Sequence, residues 1–374
     1  MEYASGSTQL MVDYNFYSNT LGAGANQLFF TANPEQEQKS RAFFRITHGG
    51  KYNYSLLFSN IIDSTYADGS ISRKNRIMPE WRIIKASCAR YPNNSFENGI
   101  EAIPEDESFE YITFNGCTEK TVESGESFKS DTFEFFAEKG DYICIELEYC
   151  GSELPYHEES LLPIYRYENG SWKYDRKMPL PCCIGCDREY EKRIAFFGDS
   201  ITQGIGTAHN SYLHWNALLS EMLGDRYSYW NLGIGYARAD DAASDGIWLE
   251  KALMNDIVFV CLGVNDLLQG FSEDEIKDNL VKIVDTLKKA GKTVILQTLP
   301  PFDYIGATAE IWQNINEFIK SESAIKADLV FDCVSLLGHP DSPQKARFGG
   351  HPNESGCALW AKELYKSIKE AGVL

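Results

Sequence analysis

The sequence predicts an N-terminal β-sandwich of jelly-roll type, followed by an α/β three-layer domain built around a parallel sheet. Three observations lead to this fold class. Short strand-like runs separated by turn residues fill the first half of the chain, strands and helices alternate in the second half, and Pro179 and Pro181 lie where the pattern changes. We therefore divide the 374 residues into a β-sandwich domain, 1–185, and an α/β domain, 186–374.

The first half is predicted to be all β. Clusters of Gly, Asn, Asp and Ser, such as Gly49–Gly50, separate the strand-like runs, and no convincing amphipathic helix interrupts the series. Many short strands divided by turns are typical of a sandwich. The runs with strand composition are 42–47, 54–58, 109–114, 132–136 and 142–149.

In the second half, strand-like apolar runs alternate with segments that have the apolar spacing of a helix. The segment 256–262 is an almost unbroken apolar run, as expected for a parallel strand that is covered on both faces. Ser272 with Glu275 forms a capping-box pattern that opens a helix, and Gly291 ends it. The other predicted strands are 193–197, 229–232, 293–298 and 329–331, and the other predicted helices are 211–223, 310–322 and 354–370.

The net charge limits the classes of partner. With 35 basic and 54 acidic residues the net charge is −19, which repels the phosphate backbone of nucleic acids and the surface of anionic membranes. A small neutral molecule such as a sugar ester meets no such repulsion. Solubility alone is favoured over a role in substrate choice as the explanation of the acidity. No cofactor is expected.

The N-terminal residues and the cysteines bear on the cellular compartment and on metal binding. The first residues have no basic segment followed by an apolar core, and no apolar run reaches the roughly 18 residues that span a bilayer. The ten cysteines show no regular pairing, so reduced thiols in a cytoplasm are expected. Cys182, Cys183 and Cys186 lack a second pair of ligands nearby, so an interdomain linker is favoured there and no metal site is expected.

Polar residues follow successive strands of the predicted parallel sheet. Ser200 follows the first strand, Gly235 and Tyr236 follow the second, and Asn265 follows the third, while His351 precedes the last helix. Open α/β sheets place their sites at the carboxyl edge of the strands. We therefore expect these residues to meet on one rim.

The residue types in this set suit acyl transfer from an ester. Ser200 supplies a hydroxyl nucleophile, and His351 can accept its proton and return it to the leaving alcohol. The Ser200 N–H, an N–H of the Gly235–Tyr236 turn and the Asn265 amide can stabilise the oxyanion. Each residue alone is a weak signal, whereas four in this order are a strong one.

The sequence blocks around these residues resemble those of the SGNH (GDSL-like) hydrolases. Residues 197–204 read FGDSITQG, residues 263–267 read GVNDL, and residues 348–353 read FGGHPN, and the resemblance extends over 193–374. More faintly, the first half resembles the N-terminal sandwich of two-domain members, an arrangement shared by carbohydrate acetylesterases. The resemblance implies hydrolysis of short-chain acyl esters, chiefly acetyl esters of oligosaccharides.

Two departures from the family pattern affect the site. Tyr236 stands where the second block has glycine; the family uses that residue's backbone N–H, but a positive φ would be costly for tyrosine and would favour Gly235 as the donor. Phe348 stands where the last block has an acid. A Ser200–His351 dyad is therefore expected, with a backbone carbonyl of Phe348 or Gly349 orienting the imidazole.

Several alternatives remain open at this stage. Asp341 is a substitute acid from the same loop, while His339 also precedes a proline but is interpreted as a loop histidine. The missing acid motivates a non-catalytic carbohydrate-binding protein with a decayed site, and transfer to an alcohol acceptor is an alternative to hydrolysis. The partner is expected to be a small-molecule ester such as an acylated sugar, and homo-oligomerisation is left open. Tyr236, Trp215, Phe302 and Tyr304 either line a sugar cleft or pack in the core.

Overall fold

A computed structural model describes residues 12–64, 74–157, 160–321 and 325–374. The described part of the N-terminal half is built from strands. Their bounds are β1 Tyr17–Ser18, β2 Leu28–Thr31, β3 Gln38–Arg45, β4 Gly50–Ser59, β5 Ile61–Ile62, β6 Arg76–Ile77, β7 Trp81–Tyr91, β8 Glu110–Ile112, β9 Lys120–Val122, β10 Ser127–Lys129, β11 Phe133–Ala137, β12 Tyr142–Gly151, β13 Glu153–Tyr156, β14 Ile164–Glu168, β15 Ser171–Tyr174 and β16 Cys183–Cys186.

Most of these strands form two antiparallel sheets. One has the order β1-β16-β4-β10, with β11 also paired to β4, and the other has the order β15-β14-β3-β12-β7-β8, with β9 also paired to β7. One apolar cluster takes side chains from both sheets, among them Leu56 and Phe58 of β4 and Ile143 and Ile145 of β12. The five predicted strand runs are confirmed, while the jelly-roll connectivity stays a prediction.

The cysteine segment before the second half is a strand. Cys183–Cys186 forms β16, which pairs with β1 on one side and β4 on the other, and all four residues are buried. The expectation of a linker there is wrong, because backbone pairing on both sides makes the segment an inner strand of the sheet, and Pro181 lies before the strand begins. The division at residue 185 stays a prediction.

The second half alternates strands and helices. Its elements are β17 Lys192–Gly198, α1 Ser200–Gln203, α2 Trp215–Leu223, β18 Tyr227–Asn231, α3 Ala239–Ala243, α4 Ile247–Leu253, β19 Ile257–Cys261, α5 Val264–Leu268, α6 Glu273–Lys289, β20 Thr293–Gln297, α7 Gly306–Lys320, β21 Leu329–Phe331, α8 Val334–Leu337, β22 Gly338–His339, β23 Ser342–Ala346 and α9 Glu354–Ala371.

Five of these strands form a parallel sheet of order β18-β17-β19-β20-β21. Successive side chains of a strand point to opposite faces. Phe196 packs edge-on against Trp215 of α2, with 5.4 Å between ring centroids, whereas Phe197 packs on Trp248 of α4, at 4.3 Å. Helices therefore cover both faces of the sheet, which explains why the strands read as apolar runs.

The sequence placed some helix ends incorrectly and missed short elements. The helix expected over 211–223 begins only at Trp215, because Asn210 and Tyr212 have φ values of 59° and 54°, which no α-helix accommodates. The capping box is confirmed: the Ser272 hydroxyl accepts from the Glu275 N–H. Helices α3 and α4 and the hairpin β22–β23 were not predicted.

The two halves of the chain share a buried interface. Trp230 of β18 donates its indole N–H to the Cys182 carbonyl at 2.8 Å. Lys251 of α4 binds both carboxylate oxygens of Asp63, at 2.7 and 2.8 Å, and both side chains are fully buried. The N-terminal sheets are therefore packed against the α/β layers by polar as well as apolar contacts. Within the described ranges, no helix is both long and apolar enough to cross a membrane.

Candidate active site

The strand order brings the predicted residues to one rim. Strand β17 lies between β18 and β19, and the Cα registers pair Phe196 with Asn231 and Gly198 with Cys261. The three strands thus end at nearly the same level. The loop that carries Ser200 therefore emerges between the loop with Gly235 and Tyr236 and the turn with Asn265.

Ser200 begins a four-residue helix that is closed at both ends. The Asp199 carboxylate accepts from the Ile201 N–H at 2.9 Å, and Gly204 ends the helix with φ 119°. Gly198 permits the sharp entry, because a Cβ there would lie 2.1 Å from the Thr202 hydroxyl oxygen. The turn leaves Ser200 only 9% exposed at the edge of the sheet.

His351 meets Ser200 across the rim. The Ser200 Oγ lies 2.8 Å from the His351 Nε2. His351 lies two residues before Asn353, whose side chain accepts from the Gly356 N–H and caps α9. On the opposite side, a Cβ at Gly206 would lie 2.7 Å from the His351 carbonyl oxygen. The backbone at His351 therefore lies between the start of the last helix and the loop that follows α1.

The other contacts of the His351 ring are apolar. Phe302 stands edge-on to the ring, with 5.3 Å between centroids and 80° between planes, and a Cβ at Gly350 would lie 2.8 Å from the Phe302 ring. Among the described residues, Ser200 is the sole hydrogen-bond partner of the His351 side chain. Burial lowers the pKa of His351 below its ordinary value of 6.5, so the imidazole is neutral at neutral pH.

The groups expected to orient His351 make no hydrogen bond to its ring among the described residues. The Phe348 carbonyl accepts from the Asn353 N–H at 3.0 Å, and the Phe348 side chain packs where a Cβ at Gly356 would stand. Asp341 lies in the exposed turn of the β22–β23 hairpin, where its N–H donates to His339 Nδ1 at 3.4 Å. In the part of the chain that the structure describes, none of Phe348, Gly349 and Asp341 forms a hydrogen bond with the His351 ring.

The loop after β18 forms a tight turn against the Ser200 helix. The Ile234 N–H donates to the Gly198 carbonyl at 3.1 Å, and the Ala237 N–H donates to the Ile234 carbonyl at 3.2 Å. This second bond closes a β-turn with Gly235 and Tyr236 at its centre. Tyr236 has φ 64°, the costly conformation considered above, and its side chain is 46% exposed. The turn is thus tied to the end of β17, two residues before Ser200.

Asn265 ties the third loop to the second. It lies in the first turn of α5, after Gly263 with φ 120°, and its Nδ2 donates to the Ala237 carbonyl at 2.8 Å. An amide nitrogen carries two hydrogens, so this bond fixes the group and leaves one hydrogen to donate. The Asn265 side chain is 9% exposed. The geometry suits a donor that is held in place before substrate arrives.

Two buried carboxylates next to these residues serve the backbone. Asp266 accepts from the Ala239 and Asp240 N–H groups at 2.8 and 3.2 Å, at the start of α3. Burial raises the pKa of Asp199 and of Asp266 to about 7. Hydrogen bonds from backbone N–H groups oppose this rise but do not cancel it. Both acids therefore bind backbone N–H groups at the start of short helices.

The structure also separates rim residues from core residues. Trp215 and Tyr304, considered as cleft residues, are buried and belong to packing, whereas Tyr236 is exposed and Phe302 contacts His351. Sequence reasoning missed the Phe302–His351 contact and missed Gln27, which reaches the loop of Gly235 from the N-terminal half. No motif marks either residue, and only the fold brings them to the site.

The second half of the chain is similar to known proteins. Residues 196–359 match the profile of the GDSL-like Lipase/Acylhydrolase family. The chain is similar to a solved structure of a putative lipolytic protein of the G-D-S-L family from Desulfitobacterium hafniense DCB-2, at 20% identity over 49% of this chain and 99% of that chain, with a TM-score of 0.38.

Two further structures are similar over the same half of the chain. The psychrotrophic esterase EstA from Pseudoalteromonas sp. is 21% identical over 48% of this chain and 97% of that chain, with a TM-score of 0.38. The acetyl xylan esterase AlAXEase is 22% identical over 47% of this chain and 99% of that chain, with a TM-score of 0.37. No curated protein sequence matches the chain. On the family profile, residues 196–359 form a domain of the GDSL-like lipase/acylhydrolase family.

Proposed function

We propose that the protein is a serine ester hydrolase that removes short-chain acyl groups, chiefly acetyl, from sugars. The observation that carries the proposal is the 2.8 Å contact between Ser200 Oγ and His351 Nε2. This distance lies within the reach that a general base needs to take a proton from a nucleophile. The membership of residues 196–359 in an acylhydrolase family supports the same reaction class.

The first half of the reaction forms an acyl-enzyme. As the Ser200 oxygen bonds to the acyl carbon, its proton passes to His351 Nε2 and the carbonyl oxygen becomes an oxyanion. The C–O bond to the alcohol then breaks, and the imidazolium returns the proton to the leaving alkoxide. Water attacks the acyl-enzyme with the same base, which releases the acid and restores Ser200.

Three groups are proposed as donors to the oxyanion. They are the Ser200 N–H at the start of α1, the Tyr236 N–H in the turn after β18, with the Gly235 N–H as the alternative, and the Asn265 Nδ2. The adjacency of β18, β17 and β19 and the bond from Asn265 to Ala237 support this grouping. Such preorganised donors supply the largest share of the rate in acyl transfer.

The dyad lacks a carboxylate, and we propose that packing replaces part of its role. An orienting acid normally fixes the histidine tautomer and stabilises the imidazolium. Here Phe302 stands against the ring and is itself packed on Gly350, and burial lowers the pKa of His351, so the ring is neutral and its Nε2 can accept a proton at neutral pH. For one of the other groups to orient the His351 ring, the loop would have to rearrange in the substrate complex. These groups are the backbone carbonyls of Phe348 and Gly349 and the Asp341 carboxylate.

The sugar ester is the finer part of the proposal. It is supported by the resemblance to two-domain carbohydrate acetylesterases and by the two antiparallel sheets that precede the hydrolase domain. The net charge of −19 favours a neutral substrate over an anionic one. A decayed binding protein and an acyltransferase are the competing interpretations that the experiment must separate.

The test is hydrolysis of p-nitrophenyl acetate, butyrate and octanoate by wild type, Ser200→Ala, His351→Ala and the matched control His339→Ala. We expect acetate to be preferred and kcat to fall at least about thousandfold in the first two variants, with the control unchanged. Acetylated oligosaccharides, with and without an added sugar acceptor, then identify the alcohol and separate transfer from hydrolysis. A wild type without turnover, or an active Ser200→Ala, refutes the proposal.

A further inference from the structure

Gln27 is a buried residue of the N-terminal half that reaches the loop after β18. Its Nε2 donates to the Gly235 carbonyl at 3.2 Å, although the two residues are 208 positions apart. The residue has no exposed surface, and its own N–H donates to the Tyr156 carbonyl at 3.0 Å. The Gln27 amide therefore binds the loop after β18 while its own backbone is held in the N-terminal half of the chain.

The contacted carbonyl shares a peptide unit with a proposed oxyanion donor. The Gly235 C=O and the Tyr236 N–H belong to one planar trans peptide, so they point in opposite directions. A donor that fixes the carbonyl fixes the direction of the N–H as well. Gln27 thus binds the C=O of the same peptide whose N–H is proposed to bind the oxyanion.

The central peptide of this turn can adopt two orientations. A type I turn places its second central residue at φ near −90°, whereas a type II turn requires a positive φ there. The two forms differ by a flip of the central peptide, which reverses both its C=O and its N–H. Tyr236 has φ 64°, and Gly235 is not in the left-handed region, as in a type II turn. A tyrosine alone would favour type I, so the observed flip needs support from outside the turn.

The backbone that carries Gln27 is anchored to the hydrolase domain. The neighbouring Asn26 N–H donates to the Asp63 carboxylate at 2.7 Å, and the Asn26 side chain donates to the Ser59 and Ile61 carbonyls at 2.6 and 2.9 Å. The same Asp63 carboxylate binds Lys251 of α4. Burial alone would lower the pKa of Lys251, but the Asp63 carboxylate raises it, so the amine stays charged.

We propose that Gln27 is a positioning residue for ester hydrolysis: its hydrogen bond to the Gly235 carbonyl selects the peptide flip that directs the Tyr236 N–H at the oxyanion. The inference rests on the proposed function. A chain of contacts runs from Lys251 through Asp63 and Asn26 to Gln27 and crosses the interface between the halves. The inference therefore gives the N-terminal half a part in the active site. It also favours Tyr236 over Gly235 as the backbone donor.

The test compares wild type with Gln27→Met, which keeps the side-chain length and removes the amide. Because the oxyanion exists only on the way through the reaction, we expect kcat for p-nitrophenyl acetate to fall about tenfold to a hundredfold and KM to change less than about threefold. Phenylboronic acid, whose Ser200 adduct places an oxygen in the oxyanion position, should lose affinity by the same factor as kcat/KM. A purely structural role would not produce that parallel.

Lys139→Ala is the matched control, since it removes another contact between the halves, the 2.9 Å ion pair with Glu221, away from the rim. It should leave kcat and the boronate affinity unchanged. If Gln27→Met does not fold by circular dichroism, Gln27→Asn replaces it, with the same expected split.

The outcomes separate the inference from the proposed function. Wild-type kcat and boronate affinity in the folded Gln27 variant, beside an inactive Ser200→Ala, refute the inference alone. A rise in KM without a loss of kcat also refutes it. An active Ser200→Ala refutes the proposed function, and the inference with it.

Discussion

The segment 199–204, which carries Ser200, and the segment 347–353, which carries His351, meet at one hydrogen bond but are held in different ways. The Ser200 segment is closed by the Asp199 cap, by Gly204 and by the bond from Ile234 to Gly198. The His351 ring, by contrast, has the Phe302 ring against it, and its one hydrogen bond within the described residues is the bond to Ser200.

This difference teaches how a base can be placed without an acid. Hydrogen bonds fix direction, whereas apolar contacts restrict space and leave some rotation. The proposed nucleophile and the proposed oxyanion donors are therefore the rigid part of the site, and His351 is the softer part. Leaving Ser200 and His351 themselves in place, changes to the donors on the rigid side should cost more activity than changes to the contacts around His351, and the predictions below test that order.

The largest expected effect lies on the rigid side. Asn265→Ala removes a proposed oxyanion donor and the bond to the Ala237 carbonyl, so kcat for p-nitrophenyl acetate should fall about a hundredfold to a thousandfold. The matched control is Asn314→Ala, which loses a surface bond to Glu273 and should keep wild-type kcat. A loss below about threefold in Asn265→Ala would remove Asn265 from the oxyanion site.

The soft side should show a smaller effect. Phe302→Ala removes the ring that stands against His351, and we expect kcat to fall about tenfold as the imidazole samples unproductive orientations. Phe302→Tyr keeps the ring and should retain most of the activity. Equal kcat in Phe302→Ala and wild type would show that packing does not position the base, and a loss as large as that of Asn265→Ala would contradict the proposed order.

The smallest effect is a shift in the pH profile. His351 acts as a base only when neutral, so kcat/KM rises with pH through the pKa of His351 in the unliganded enzyme. Because burial lowers that pKa, the half-maximum of the acidic limb should lie below pH 6.5. An acid partner would raise the pKa and move the limb upward.

Asp199→Asn is the control for this assignment. Burial raises the pKa of Asp199 to about 7, and asparagine keeps the cap on α1. The acidic limb should stay in place in this variant. A limb above pH 6.5 in wild type, or one that vanishes in Asp199→Asn, would show that His351 is not the titrating base.

Much of the hydrolase domain could be predicted from the sequence. Apolar runs such as 256–262, the Ser272–Glu275 capping box and the strand-to-loop positions of Ser200 and Asn265 are local patterns, and the parallel sheet turns them into one rim. The N-terminal strands were also visible, because turn residues bound them. These features depend on neighbours in sequence, which is why they were accessible.

The remaining features depend on contacts between distant residues. The start of α2 was misplaced because nothing in the sequence indicates the positive φ of Tyr212. The apolar surroundings of His351 and the bond from Gln27 to Gly235 join segments that only the fold brings together. The β16 strand was mistaken for a linker because its pairing partners lie far away, in β1 and β4.

The most direct test of the Ser200–His351 dyad is covalent labelling by an ethyl p-nitrophenyl phosphonate, read by mass spectrometry of wild type and His351→Ala. The account predicts one adduct, on Ser200, formed at least about a hundredfold more slowly in His351→Ala, because the base that activates the hydroxyl is missing. An adduct on another residue, or equal labelling rates in the two proteins, would contradict it.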